Sequence, residues 1–166
     1  MDIYLIRHGA AVDLDKEIPE EGFRYLSLEG RKKSAEVAEK LKDLHVHFDL
    51  ILSSPLVRAV QTAEIFATVL KHKGEFRTAA ELIGGSSFTR FVQLLNRNGH
   101  HKSIACFGHS PDVNQFAVSL LKTNDVKELK INFKTCSVCK IRYNPESGTG
   151  KYTWFLKSDT MELVKS

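Results

Sequence analysis

The sequence has few of the residues that mark special structural classes. Of its 166 residues, 3 are Cys, 4 are Pro and 10 are Gly. These numbers exclude collagen-like and low-complexity chains, and three cysteines are too few for a disulfide framework. No apolar run approaches the roughly 20 residues that a membrane-spanning helix needs. We therefore expect a globular chain with reduced cysteines and no membrane contact.

A secretory leader and a dominant charge are also missing. Asp2 is followed directly by apolar residues, without the basic segment and small-residue cleavage site of a leader. The expected localisation is therefore cytoplasmic. The net charge is +4, from 24 Lys and Arg against 20 Asp and Glu, and the basic residues are scattered except at 31–33. Without a basic patch or a nucleic-acid motif, we expect no nucleic-acid partner.

Length and periodicity predict one α/β domain over residues 1–166. The hydrophobic content of 42% suits a single core at this length. Short apolar stretches predict strands at 2–7, 49–53 and 103–107. Helical periodicity predicts helices near 28–44, 56–71, 86–97 and 112–122. Alternating patterns predict later strands near 129–133, 136–143 and 152–157. This order predicts a three-layer α/β/α sandwich with a mostly parallel central sheet.

Serines mark three of the predicted helix starts. Ser27 precedes the first helical pattern. Ser54 and Ser110 each stand directly before a proline. Because serine caps helices and proline suits the first helical position, these residues are predicted N-caps.

Three of the predicted parallel strands lead to cationic or imidazole side chains. Arg7 and His8 lie at the end of the first strand, Arg58 follows the second in a first helical turn, and His109 follows the strand at 103–107. Ligands of such sheets bind outside the carboxyl ends of the strands. Paired arginines are costly without an anion, and their geometry suits a tetrahedral oxyanion. The sequence thus predicts a phosphate pocket, and the imidazole beside it indicates phosphoryl transfer to histidine.

Other ligand motifs are weak. Neither a G-x-x-x-x-G-K-[ST] loop nor a G-x-G-x-x-G after a strand occurs, which argues against nucleotide cofactors. The histidine pairs 45/47 and 100/101 have no Cys or carboxylate at the usual metal-ligand spacing. Cys136 and Cys139 lie in an alternating segment that sends them to opposite faces. We expect neither a metal nor a cofactor.

Four motifs occur in a fixed order over roughly residues 2–120. They are Arg7-His8-Gly9, Arg24-x-Leu26-Ser27-x-x-Gly30, Ser54-Pro55-x-x-Arg58-Ala59-x-x-Thr62-Ala63 and Gly108-His109. This set resembles the signature of the histidine phosphatase superfamily, whose fold is phosphoglycerate mutase-like. The short length and the second motif are similar to the small phosphohistidine phosphatases of the SixA type.

The resemblance implies a role for each pocket residue. His8 is the expected nucleophile, and Arg7, Arg58 and His109 are expected to bind the phosphoryl oxygens. Attack requires an unprotonated nitrogen on His8, whereas His109 is more useful as a cation, so we expect their pKa values to be split. Arg24 is a further candidate phosphate ligand if the acidic loop 10–26 is not merely solvated. The family usually has Pro after this arginine, where this chain has Tyr25.

Glu81 is the candidate general acid. Its position resembles that of the acid in relatives that cleave phosphate esters, although residues 83–85 depart from their longer motif. The alternative is a helix-capping or surface carboxylate. A phosphohistidine substrate has less need of an acid, because its imidazole leaving group can be protonated from solvent.

Three hypotheses about function follow. The first is a metal-independent phosphatase that forms a covalent phosphohistidine and acts on a phosphorylated protein of the histidine-phosphotransfer or phosphocarrier type. The second is a phosphatase of a small phosphorylated metabolite, a phosphate monoester. The third, from a different class, is a non-catalytic phosphate-binding module.

Overall fold

The structure, a computed structural model, describes residues 1–121 and 131–165. Within these ranges it contains seven strands and four α-helices. The strands are β1 (Asp2–Arg7), β2 (Leu50–Ser53), β3 (Glu75–Thr78), β4 (Ser103–Gly108), β5 (Val138–Asn144), β6 (Thr149–Leu156) and β7 (Leu163–Lys165). The helices are α1 (Leu28–Asp43), α2 (Val57–Val69), α3 (Phe88–Arg97) and α4 (Asp112–Leu121). Single 3₁₀ turns lie at Glu21–Phe23 and Ala80–Leu82.

The described strands form one mixed sheet in the order β3-β2-β4-β1-β5-β6-β7. The first four pair in parallel, and β5, β6 and β7 are added by antiparallel pairing. Five of these strands therefore run in the same direction, which confirms the predicted mostly parallel sheet. Because β2, β4 and β1 are parallel neighbours, their carboxyl ends lie side by side.

Helices cover both faces of the sheet. The side chains of α1 and α2 pack on one face, in a cluster with Ile6, Ile51 and Phe107. The side chains of α3 and α4 pack on the other face, in a cluster with Leu5 and Cys106. Alternate residues of each buried strand thus enter opposite cores, as the pleat requires. The predicted three-layer sandwich is confirmed.

Two predicted helix caps are wrong. Ser54 is not the N-cap of α2, which begins at Val57 with Leu56 at the N-cap position. α4 begins at Asp112, so Ser110 is not the residue directly before it. Ser27 does cap α1, since its side chain accepts a hydrogen bond from the backbone N–H of Gly30 at 3.0 Å.

The strand predicted near 129–133 is also wrong for the described residues of that segment. Residues 131–133 form no strand, and residues 129–130 lie outside the described ranges. Phe133 is nevertheless buried and packs edge-on against Phe155, with ring centroids 5.1 Å apart. The apolar pattern here reflects burial of side chains rather than strand pairing.

Gly30 allows the start of α1 to approach the chain that leaves β1. A Cβ atom at this position would clash with the backbone carbonyl of Ala10. The N–H of Ser27 donates to the same carbonyl at 3.0 Å. The close approach explains why a glycine stands three residues after the capping serine.

The three cysteines are free and buried. Burial raises the pKa of Cys106 to about 12 and that of Cys136 to about 11. Cys136 and Cys139 lie in opposite cores, as the alternation predicted. Such thiols behave as small apolar side chains rather than as nucleophiles.

None of the helices in the described ranges is long and apolar enough to cross a bilayer.

Candidate active site

The carboxyl ends of β1, β2 and β4 bring the four predicted pocket residues together. The backbone N–H of His8 donates to the carbonyl of Gly108 at 3.0 Å, which holds the end of β1 against the end of β4. The rings of His8 and His109 lie 4.9 Å apart, centroid to centroid. From α2, Arg58 donates from Nε to Nε2 of His8 at 3.2 Å. Arg7, the last residue of β1, donates to the Phe133 carbonyl at 2.8 Å.

The hydrogen bonds of His8 fix its tautomer. Nδ1 lies 2.7 Å from the carbonyl oxygen of Gly9, which can only accept a hydrogen bond. Nδ1 therefore carries the hydrogen, and in the neutral ring Nε2 carries the lone pair. Nε2 is also the atom that receives the hydrogen bond from Arg58. The pocket thus holds an oriented imidazole with an unprotonated nitrogen beside a guanidinium.

Both imidazoles are neutral in this pocket at pH 7. Burial lowers the pKa of His8 to about 3, with His109, Arg58 and Arg7 adding repulsion and the hydrogen bond to Gly9 opposing it. Burial also lowers the pKa of His109 to about 4, assisted by the charge of Arg58. The expected difference between the two pKa values, with His109 as a cation, is therefore absent. Both rings share one buried site with two fixed cations, so the same physical causes act on each.

We predict that His8 keeps its neutral Nδ1–H form from pH 8 down to about 5. The measurement is ¹⁵N NMR of histidine-labelled protein, and a His8 midpoint near 6.5 would contradict the assignment. The unfolded chain protonates this ring near 6.5 and the folded chain only near 3. The unfolded state therefore binds more protons between these values, and the free energy of unfolding falls as the pH drops through this window. His8→Asn should reduce that pH dependence in urea titrations.

Two buried polar atoms in this cluster have no hydrogen-bond partner among the described residues. They are Nε of Arg7 and Nδ1 of His109. Buried polar groups are nearly always paired, and an unpaired one usually marks a ligand position or a strained site. Both atoms belong to residues that the sequence assigned to phosphate binding. An anion with several oxygens can supply the missing partners.

Arg58 has an ion-pair partner that the sequence did not predict. Its Nη2 lies 3.0 Å from the Glu21 carboxylate, and its Nη1 donates to the Glu21 carbonyl at 2.9 Å. Glu21 belongs to residues 10–27 between β1 and α1, here called the β1–α1 loop. From sequence alone, an acidic residue in a loop is expected to be exposed to solvent. No local sequence pattern links Glu21 to a residue 37 positions later. The contact places this loop at the pocket.

Arg24 lies in the same loop but contacts none of the four pocket residues in the described structure. Its Nε donates to the Val12 carbonyl at 2.6 Å, and its Nη1 donates to the Glu21 carboxylate at 3.1 Å. Arg24 thus braces Glu21 rather than projecting into the pocket. In this arrangement Arg24 can act on the pocket only through Glu21.

Polar side chains outside the predicted set support the pocket. The hydroxyl of Ser54 lies 2.8 Å from Nε2 of His109 and also accepts from the backbone N–H of Leu56 at 3.3 Å, ahead of the start of α2. Thr62 accepts from the Gly9 N–H at 2.9 Å and donates to the Arg58 carbonyl at 2.7 Å, so it ties β1 to α2. Both residues belong to the motif that begins at Ser54, although Ser54 was predicted to cap a helix. Their supporting contacts follow from the fold rather than from local pattern.

Glu81 is directed to a different neighbour. Its carboxylate pairs with Nη2 of Arg97 at 2.6 Å, and no contact joins it to the four pocket residues in the described chain. The hydrogen bond from Arg97 lowers the pKa of the Glu81 carboxyl. An ionised carboxylate held by an arginine has no proton to give at pH 7, so this arrangement does not favour a general acid.

The remaining histidines do not assemble a metal site. Within residues 1–121 and 131–165, no group of three or more His, Cys, Asp or Glu side chains is placed to hold an ion. The rings of His100 and His101 lie 4.1 Å apart, centroid to centroid, and are tilted by 40°.

Comparison with known proteins defines the class of this fold and of its pocket of two arginines and two histidines as a phosphatase. The model of the histidine phosphatase superfamily (branch 1) matches residues 3–83. An uncharacterized protein of Picosynechococcus is 34% identical over 122 residues, which span 72% of this chain and 73% of the relative. The chain belongs to the histidine phosphatase superfamily.

Two further relatives are similar over the whole length. Phosphohistidine phosphatase SixA of Escherichia coli K12 is 25% identical over 170 residues, covering 100% of this chain and 99% of the relative. A solved structure of the protein histidine phosphatase SixA complexed with tungstate has a TM-score of 0.86. It is 24% identical and covers 98% of this chain and 100% of that chain. The predicted resemblance to the SixA type is confirmed.

Proposed function

We propose that this chain is a metal-independent phosphatase that forms a covalent phosphohistidine at Nε2 of His8. The observation that carries the proposal is the tautomer of His8, with Nδ1–H on the Gly9 carbonyl at 2.7 Å and Nε2 unprotonated. A depressed pKa keeps that nitrogen nucleophilic at neutral pH. Arg7, Arg58 and His109 are the proposed ligands of the phosphoryl oxygens. Phosphate binding alone needs no such nucleophile, which favours an enzyme over a binding module.

The proposed reaction has two displacements at phosphorus. In the first, the Nε2 lone pair of His8 forms the N–P bond while the bond to the leaving group breaks, and the leaving group takes a proton from solvent. In the second, water attacks the phosphorus, the N–P bond breaks, and inorganic phosphate leaves with His8 restored. The fixed cations stabilise the charge on the equatorial oxygens in both steps.

The proposed substrate is phosphohistidine carried on a small signalling or phosphocarrier protein. Its imidazole leaving group accepts a proton from water, so the reaction does not depend on a protein acid. This matches a pocket in which the predicted general acid, Glu81, is bound to Arg97 instead. Similarity to phosphohistidine phosphatase SixA over the whole chain supports the same choice. Buried free thiols suit the reducing cytoplasm, where we place the reaction.

The test compares free phosphohistidine with p-nitrophenyl phosphate in buffer containing EDTA, for the wild type and Glu81→Gln. We expect hydrolysis of phosphohistidine to persist in EDTA and to change less than about threefold in Glu81→Gln, because a working general acid contributes about 10²–10⁴-fold. The variant should fold, because Arg97 is exposed and the amide oxygen of Gln can still accept its hydrogen bond.

Two results would overturn this assignment. A large loss on both compounds in Glu81→Gln would establish a general acid and favour a phosphatase of small esters. Tight binding of a phosphohistidine peptide without any release of phosphate would establish the non-catalytic binding module.

A further inference from the structure

Exposed apolar side chains of the described structure concentrate beside the pocket. Five large hydrophobic residues are exposed, and four of them lie within residues 14–28. They are Leu14, Phe23, Tyr25 and Leu28. Leu28 is 87% exposed and Phe23 61%. Exposed large apolar residues that lie this close together along the chain mark an interaction surface more often than a structural need.

The backbone holds these residues in one folded unit. The Val12 N–H donates to the Tyr25 carbonyl at 2.9 Å, and an antiparallel bridge joins Ala11 to Leu26. The two arms of the β1–α1 loop therefore run side by side. Leu14 follows one arm and Phe23 precedes the other, so the apolar residues share one local structure rather than being scattered along a free loop.

The β1–α1 loop carries a net charge opposite in sign to that of the whole protein. Residues 13–21 contain five carboxylates and one ammonium, a net charge of −4, whereas the complete chain carries +4. Two of the five, Glu17 and Glu20, are exposed and make no side-chain ion pair in the described structure. Uncompensated charge at the rim of an interface steers partners of the opposite sign.

The β1–α1 loop contacts the pocket directly. Through both its carboxylate and its carbonyl, Glu21 contacts Arg58, whose Nε in turn contacts His8. A molecule that covers the apolar residues therefore lies at the entrance to the four pocket residues. A free metabolite has no means of using such a surface, whereas a protein does.

We infer that Leu14, Phe23, Tyr25 and Leu28, with the carboxylates of residues 13–20, form a docking surface for a protein substrate. The inference rests on the proposed function, since the partner must carry the phosphohistidine. The partner that fits presents apolar side chains and Lys or Arg around its phosphorylated histidine. An anionic lipid surface does not fit, because the segment is acidic.

The experiment measures kcat/KM on short synthetic peptides whose single histidine is phosphorylated with phosphoramidate. One peptide has Lys and Leu flanks, a second has Glu in place of Lys, a third has Ser in place of Leu, and free phosphohistidine is the reference. The wild type should prefer the Lys/Leu peptide over the other two by about tenfold or more. Glu17→Gln/Glu20→Gln should erase the preference for Lys, and Phe23→Ser/Leu28→Ser the preference for Leu. Free phosphohistidine should be hydrolysed equally by all variants.

Matched controls lie elsewhere on the surface. Val118→Ser removes the fifth exposed apolar residue, on α4, and Glu146→Gln removes a carboxylate from the β5–β6 turn at the opposite end of the sheet. Both should behave as wild type. The docking surface would be overturned if these controls lost the peptide preference as well, or if the wild type showed none. Continued hydrolysis of free phosphohistidine would in either case leave the proposed function intact.

Two other outcomes separate the remaining explanations. If free phosphohistidine is not hydrolysed and p-nitrophenyl phosphate is, the proposed function fails and the docking inference fails with it. If Phe23→Ser/Leu28→Ser converts a dimer into a monomer in sedimentation, the surface belongs to a second copy of this chain and the inference is overturned.

Discussion

His8→Ala is expected to lower phosphate release by more than about 10⁴-fold, the scale seen when a covalent nucleophile is removed. The reason is specific, because no other described side chain presents an unprotonated imidazole nitrogen to Arg58. The decisive measurement mixes the protein with a ³²P-labelled phosphoryl donor and quenches in acid or in base. A phosphohistidine survives base and is lost in acid. Label should be trapped only in base and only when His8 is present.

The matched control is His47→Ala, which removes an exposed histidine from the chain before β2, at the other end of the sheet. It should keep wild-type activity and labelling. Trapped label in His8→Ala, or label stable to acid in the wild type, would contradict a covalent intermediate on this residue. Measurable phosphate binding with no trapped label in the wild type would instead favour the binding module.

Arg58→Met is expected to lower kcat/KM by about 10³-fold, the loss typical of removing one fixed charge from a developing oxyanion. Arg58 is 6% exposed and contacts His8 directly, so its loss acts on both charge and orientation. Because the guanidinium helps to lower the pKa of His8, the variant should also raise that pKa. Enzyme kinetics and the ¹⁵N titration of His8 measure the two effects separately.

Two further variants make this result specific. Arg58→Lys keeps the positive charge but loses the fork that reaches His8 and Glu21 together, so we expect it to preserve the low pKa better than the rate. Arg142→Met removes an exposed arginine that pairs with Asp2 at the opposite end of β1, and it should be neutral. An active Arg58→Met with an unchanged His8 titration would remove Arg58 from the mechanism.

The pocket could be predicted from sequence, because the topology of the sheet determines which residues meet at its edge. Once β1, β2 and β4 are accepted as parallel strands, Arg7, His8 and His109 must meet at their carboxyl ends. A neutral His8 was also expected, because attack needs an unprotonated nitrogen. Which nitrogen carries the hydrogen could not be predicted, because it depends on one carbonyl, that of Gly9. The expectation that His109 would be a cation was wrong, because burial and the charge of Arg58 lower its pKa as well.

The fold shows a similar division between pattern and context. Buried strands and amphipathic helices were predicted, because their apolar residues follow the period of the element. Strand β3 was missed, since its sequence Glu-Phe-Arg-Thr has one apolar residue and lies at the sheet edge. The cap predicted at Ser54 was wrong because α2 begins only at Val57. Glu21 was missed because ion pairs across 37 residues leave no periodic signal.

The contact between Glu21 and Arg58 also bears on how the product leaves. In the proposed mechanism an arriving phosphoryl group does not meet a bare guanidinium, since a carboxylate oxygen already lies 3.0 Å from Nη2. Binding is therefore an exchange of one anion for another, and the net gain in charge pairing is smaller than two arginines alone would give. The same exchange runs in reverse when inorganic phosphate departs, with Glu21 restoring the counterion. Weaker retention of both substrate and product favours turnover over storage of phosphate.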